Sequence, residues 1–185
     1  LWLGEFFFRK IDMIRAPWFL FSWSLRQEKR GPATPPEGLV LKIAERSDER
    51  EIQALVARSF GFDQQWMGAY SRIALPLEHR IHQAFRNQNL PGLILMHGPR
   101  IIAASCLAVD EHAESHLLSG PCVLPEYRSR GLASVLLAET LHQLQQAQLP
   151  AARALCLDGT TACKFVYPKF GSVREPYAQE PFAAQ

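Results

Sequence analysis

The sequence predicts a mixed α/β domain, and three observations carry that expectation. Along residues 39–178 the apolar positions switch repeatedly between the two-residue period of strands and the 3.6-residue period of helices. The length, 185 residues, suits one compact domain or one domain with an appendage. Between the two lies Arg30-Gly-Pro-Ala-Thr-Pro-Pro-Glu-Gly38, which can neither continue a helix nor sit in a central strand and therefore reads as a linker. With 48% apolar and 21% charged residues the chain is neither disordered nor collagen-like, and a net charge of +2 gives no reason to expect nucleic acid or a membrane as partner. Cys106, Cys122, Cys156 and Cys163 form no CxxC pair and lie mostly in apolar runs, which argues against a metal site or disulfide framework and for a reducing, cytoplasmic setting.

Each element follows from its local pattern. Leu39 to Ala44 is a short apolar run fit for a strand, and Ser47-Asp-Glu-Arg-Glu51 offers an N-cap and an acidic first turn. Ile52, Leu55, Val56 and Phe60 then recur at helical spacing, which predicts a helix from about Asp48 to Ser59. A less regular helical stretch spans about Gln65 to Asn87, interrupted by Pro76. Two strands, Leu93 to Met96 and Ile101 to Val109, are joined by His97-Gly-Pro-Arg100, which has hairpin-turn chemistry. Another extended run covers about Glu114 to Leu124, and a long helix about Gly131 to Gln148. A strand from Arg153 to Leu157, a short helix from Thr161 to Lys169 and a last strand from Gly171 to Tyr177 complete the order.

The chemistry concentrates in Val123-Leu-Pro-Glu-Tyr-Arg-Ser-Arg-Gly-Leu-Ala-Ser134, which leads from a strand end through a tight turn into the long helix. Pro125 ends strand pairing, Gly131 lets a bulky anion approach the backbone, and Ala133 keeps the next turn slim. The helix start presents unpaired N–H groups and a positive dipole end, while Arg128 and Arg130 add charge, so the segment suits a phosphate or pyrophosphate. Arg128, Gly131 and Ala133 after Val123 resemble the acetyl-CoA motif of the GCN5-related N-acetyltransferase (GNAT) superfamily. Leu157 to Gly171, with Tyr167 and Gly171 at hallmark positions, is similar to that family's second motif. The sequence departs from the pattern at Thr160, where many members carry Asn, and at Ser172, commonly Phe.

The resemblance implies a mostly antiparallel central sheet flanked by helices, with splayed strands at the acetyl-CoA site. It implies acetyl-CoA as cosubstrate, no metal, and direct transfer to a primary amine of a small molecule or protein. Cys122, Val123 and Leu124 would line the pantetheine arm, with the N–H of Val123 or Leu124 polarising the thioester oxygen. Arg128, Ser129, Arg130, Gly131, Leu132, Ala133 and Ser134 would hold the pyrophosphate, with Thr160 nearby. Tyr167 is the candidate general acid, since a phenol with pKa of about 10 stays protonated at neutral pH and can protonate a leaving thiolate. His116 is a candidate base on intrinsic pKa alone, set against a partly exposed polar role or a mechanism with no protein base. Cys122 lacks a partnered base and reads as a small hydrophobe rather than a nucleophile. Acceptor walls are expected between Phe60 and Asn87, with Phe62, Trp66, Met67 and Tyr70 as candidates, and Asp110, Glu111 and Glu114 read either as an attraction for a cationic acceptor or as a solvated acidic loop. The alternative reading is a domain that binds acyl-CoA without turnover as a regulatory or interaction module.

This divides the chain into an aromatic-rich extension and linker at 1–38, the acetyltransferase-like domain at 39–178, and a tail at 179–185. Eight aromatic residues fall within the first 23 positions, among them Trp2, Phe6, Phe7, Phe8, Trp18 and Trp23, yet the longest apolar stretch there is too short to span a membrane. An added hairpin or helix, a homodimer contact, the tail of a preceding domain, and upstream sequence not normally translated, with Met13 as a later start, all remain open for it.

Overall fold

A computed structural model describes residues 18–26, 29–66 and 68–182. The aromatic cluster at 2–8, Met13 and Met67 lie outside the described residues. Among the described residues seven strands form two sheets. β2 (Leu39–Ile43), β3 (Gly92–His97), β4 (Arg100–Cys106) and β5 (Cys122–Val123) make an antiparallel four-stranded sheet in chain order. In the second sheet β1 (Trp18–Ser24) lies between β6 (Ala151–Leu157) and β7 (Val173–Tyr177), antiparallel to both. This is the expected mixed α/β architecture with antiparallel sheets and flanking helices.

Among the described residues three α-helices cover the sheets. α1 (Glu49–Gly61) buries Ile52, Leu55, Val56 and Phe60, the face its periodicity predicts. α2 (Tyr70–Asn87) runs unbroken through Pro76, because the apolar stripe Ile73, Leu77, Ile81 and Phe85 holds both halves on the core and offsets the roughly 3 kcal/mol that an interior proline costs. α3 (Leu132–Gln146) packs Leu136, Leu137, Leu141 and Leu144 on the opposite side. The core is accordingly two clusters. One, on the α1/α2 side, includes Ile94, Cys122 and Leu124; the other, on the α3 side, includes Leu93, Leu95, Val123 and Cys156. Alternate residues of one strand serve opposite clusters, as strand geometry requires. Among the described residues no helix is long and apolar enough to cross a membrane.

Two elements differ from the sequence expectation. Residues 18–24, expected within an appendage, are the central strand of the second sheet, where Phe21 and Trp23 are buried against the α3-side core. The linker after them lies along α3, with the Arg30 and Ala33 N–H groups donating to Gln145 Oε1 at 2.8 Å and Glu139 Oε2 at 2.7 Å. The extended run 114–124 is a strand only at Cys122–Val123, with one further bridge between Leu107 and Leu117. Between these two pairings the register slips, since Gly120 adopts φ +62° and Pro121 has no N–H to donate. The Ser119 hydroxyl takes the place of a backbone carbonyl there, accepting the Cys106 N–H at 3.0 Å.

Candidate active site

The two sheets touch at one end and part at the other. Near the join, the His116 and Leu117 N–H groups donate to the Arg153 carbonyl at 2.8 and 3.2 Å. Farther along, among the described residues β5 pairs only with β4 and β6 only with β1, so a gap opens between β5 and β6. A cavity of about 430 Å³ occupies it and reaches both faces of the sheet. On the α3 side its walls include Gly131, Ala133, Ser134 and Lys169; on the α1/α2 side they include Ser59, Phe60, Trp66 and Leu118.

Backbone geometry aims one donor into this gap. Leu124 N–H donates to Ile102 O at 3.0 Å, so the next pair in the antiparallel ladder, Val123 with Ala103, is the kind whose N–H groups point away from each other. The Val123 N–H therefore faces away from β4, and the two candidates separate: Leu124 is spent on the sheet, Val123 is not. The Val123 carbonyl points the same way and accepts Arg128 Nε at 3.1 Å.

The turn into α3 has the geometry of an anion cradle. Ser129 and Gly131 both take left-handed backbone, φ 62° and 77°, and Gly131 is the N-cap of α3. Leu132 and Ala133, in the first turn, have no intrahelical acceptor for their N–H groups, while Ser134 N–H donates back to Gly131 O at 3.0 Å. Lys169 Nζ reaches across to donate to Ser134 Oγ at 2.8 Å, which adds a cation to the dipole's positive end. Helix N–H groups, a glycine cap and this lysine fit a pyrophosphate. The sequence offered no sign of Lys169, 35 residues from Ser134, because only the fold brings them together.

The arginines behave differently from the expectation. Arg128 lines the cavity, but its guanidinium is spent on Val123 O, on Ser59 O at 2.9 Å and on Asp63 at 3.5 Å, so it ties the end of β5 to α1. Arg130 lies outside the cavity wall, stacked over the Tyr127 ring at 5.3 Å and donating to Glu126 O at 3.2 Å. Thr160 is also outside the wall. Its buried hydroxyl donates to Leu157 O at 2.8 Å and accepts the Cys163 N–H at 3.3 Å, closing its own turn, and Thr161 lines the cavity instead.

Tyr167 lines the gap at the end of a wide helical turn, Ala162–Val166, that closes when Tyr167 N–H donates to Ala162 O at 2.9 Å. Phe21 and Trp23 of β1 hold its ring, with centroids 5.4 and 5.8 Å away, and Trp23 Nε1 donates to Lys169 O at 2.9 Å. The hydroxyl lies against Gly120, where a Cβ would overlap it. Burial, reinforced by the neighbouring thiols of Cys156, Cys122 and Cys163, pushes its pKa well above the phenol's usual value, so the proton stays on Oη.

His116 stands at the join of the sheets, not on the cavity wall. Its Nδ1 accepts the Arg153 N–H at 2.9 Å and its Nε2 lies 3.1 Å from Asp110 O, which fits a neutral ring protonated at Nε2. Burial first, then the Arg153 charge, lowers its pKa to about 4. A ring with both nitrogens engaged by backbone cannot take a proton from an amine in the gap. Cys122 lines the cavity, but burial pushes its thiol far up, the environment of an inert cysteine. Of the expected acceptor walls, Trp66 lines the cavity, Phe62 is 73% exposed, and Tyr70 stacks on Phe60 beside a separate groove between α1 and α2. Asp110, Glu111 and Glu114 do not line the cavity; Glu114 accepts a hydrogen bond from Tyr177 Oη. Among the described residues no cluster of three or more His, Cys, Asp or Glu is placed to hold a metal ion.

Comparison with known proteins places this geometry in context. Several solved structures share the fold. A GCN5-related N-acetyltransferase from Sphaerobacter thermophilus superposes with TM-score 0.62 at 14% identity, covering 94% of this chain and 54% of that one. A functionally unknown conserved protein from Staphylococcus epidermidis gives TM-score 0.59 at 13% identity over 94% of this chain and 65% of its own. A Drosophila protein gives TM-score 0.57 at 13% identity over 94% and 55%. The chain thus spans between about half and two thirds of the length of these structures. No curated protein matches the sequence. Residues 50–171, from the first helix through the glycine after Tyr167, match the acetyltransferase (GNAT) family, and the chain belongs to that family.

Proposed function

We propose that the chain is an acetyl-CoA-dependent N-acetyltransferase that passes an acetyl group directly to a primary amine of a small molecule or protein. The observation that carries this reading is the gap between β5 and β6. It joins an anion cradle on one face of the sheet to an apolar chamber on the other, so that an activated acyl group and an amine can meet within it. Acetyl-CoA supplies the acyl group as a thioester. The first turn of α3 and Lys169 bind its diphosphate, and the Val123 N–H, turned toward the gap, orients and polarises an acyl oxygen. Tyr167 holds a proton at Oη and yields it to a departing thiolate. No general base is assigned: His116 is engaged elsewhere, and Asp63 is paired with Arg128. The amine enters neutral or loses its proton to water.

Thiol release from acetyl-CoA, measured over a panel of amines beside a thermal-shift titration with acetyl-CoA, tests the proposal. Release with any amine supports transfer, and Tyr167→Phe is then expected to lower turnover while sparing acetyl-CoA affinity. A thermal shift without release from any amine would favour the non-catalytic acyl-CoA-binding module. No shift at all would overturn the cosubstrate assignment.

A further inference from the structure

The acceptor side of the cavity is unusually aromatic, and part of its wall comes from outside the segment that matches the family. Trp18 of β1 and Phe182 of the tail line it together with Phe60 and Trp66, whereas the matched segment is 50–171. The rings are arranged as an apolar slot: Phe60 meets Trp66 edge-on at 4.5 Å, and Trp18 tilts onto Trp66 at 5.8 Å. The tail is fastened over this slot by the Arg72–Glu180 ion pair at 3.0 Å and by Arg80 over the Phe182 ring at 5.6 Å. Phe182 takes left-handed backbone, φ 58°, to place its ring there, and it is 6% exposed.

Charge narrows the choice of ligand. Among the described residues Asp63 is the only acidic one lining the cavity, and it already faces Arg128 at 3.5 Å and accepts the Gln65 N–H at 3.0 Å. A second ammonium group on the acceptor would enter this slot without a counter-charge, at a large desolvation penalty. One buried hydroxyl of the slot has only a thiol beside it among the described residues. Ser59 is 5% exposed, and its hydroxyl, close to the Cys122 thiol, makes no hydrogen bond of normal geometry among the described residues although it lines the cavity. A buried, unsatisfied hydroxyl beside β5 is suited to accept an N–H of an amine held at the gap.

Resting on the acyl-transfer reading above, we propose that the acceptor is a primary monoamine with a flat aryl body, its ring seated between Trp66 and Phe182 and its nitrogen held by the Ser59 hydroxyl. Charged diamines are excluded by the same walls. Phe182 makes the tail a specificity element, and Ser59 is a positioning residue.

The experiment compares arylalkylamines, alkylamines of equal length, diamines and amino acids by thiol release, and measures amine binding separately by tryptophan fluorescence with CoA present. The expected result is a kcat/KM for the arylalkylamine at least tenfold above that for the diamine. Phe182→Ala should raise the arylalkylamine KM about tenfold and bring it level with the alkylamine, with acetyl-CoA affinity unchanged as the control for folding. Phe182→Leu, which keeps the apolar volume, should lose the aryl preference in part. Ser59→Ala removes only the hydroxyl's contact with the Cys122 thiol, so it should change stability little while lowering kcat/KM for every amine. A preference for diamines or amino acids, or an aryl-to-alkyl ratio untouched by Phe182→Ala, would overturn the proposal and leave acyl transfer standing. Arylalkylamine binding without thiol release would support the slot and overturn transfer, and neither binding nor release would overturn both.

Discussion

Replacing Gly120 by alanine probes the point where fold and chemistry meet. Gly120 has φ +62°, a region that costs an alanine about 1–2 kcal/mol relative to glycine. Its new Cβ would also overlap the Tyr167 hydroxyl, while the ring carbon bearing that hydroxyl would stay at an ordinary 3.4 Å. Forcing the buried ring aside against Phe21 and Trp23 adds about 1–3 kcal/mol, the usual range for overpacking. The single substitution should therefore destabilise by about 2–5 kcal/mol, which at ~2 kcal/mol per molar urea moves the unfolding midpoint down by roughly 1–2.5 M. Tyr167→Phe deletes the one atom that clashes. In the Tyr167→Phe background Gly120→Ala should cost only the backbone part, leaving a coupling of about 1–3 kcal/mol in a double-mutant cycle read by urea denaturation. Strictly additive effects would show that Tyr167 does not pack on Gly120 and would remove the basis for placing its hydroxyl in the gap.

Other perturbations follow from the same geometry. Lys169→Ala should weaken acetyl-CoA binding roughly fivefold, about 1 kcal/mol, and the difference should shrink at high salt because the lysine is exposed; calorimetric titration at two ionic strengths checks this. His116 has a folded pKa of about 4 against an unfolded value near 6.5, so the unfolded chain binds the extra proton and stability falls as pH drops through that window, by about 3 kcal/mol in all. Urea midpoints measured from pH 7 to pH 4 should show this slope, and His116→Gln should flatten it. Trp23→Ala should destabilise by about 3–5 kcal/mol, the range for a buried aromatic, and also lower turnover by loosening Tyr167; an unchanged melting temperature would show that β1 does not sit in the sheet.

Much of the fold is legible locally. The helix expected from about Asp48 to Ser59 spans Glu49–Gly61, and that from about Gly131 to Gln148 spans Leu132–Gln146, because in both a single apolar stripe decides the element. The turn from β5 into α3 is legible for the same reason, since its glycine, its helix start and its strand end are close together in the chain. Arg128 and Arg130 show the limit of such reading. Their charge is visible in the sequence, but whether a guanidinium faces a ligand depends on what carbonyls and rings stand beside it, here Ser59 O and the Tyr127 ring. His116 is similar: strand alternation assigns it a face, while its engagement with Arg153 and Asp110 depends on the second sheet.

The family, the α/β order and the turn that caps α3 are readable from the chain alone, because each motif or element behind them is a short run of consecutive residues. It took the three-dimensional arrangement to show that β1 completes the second sheet, that Lys169 reaches Ser134, that Leu124 rather than Val123 spends its N–H on β4, and that Trp18 and Phe182 line the cavity. These are pairings across 35 residues or more, or consequences of strand register, and no local periodicity encodes which distant strand, lysine or ring will arrive. The aromatic residues at 18–23 looked like an appendage because their partners, Leu157 and Tyr177, are more than 130 residues away.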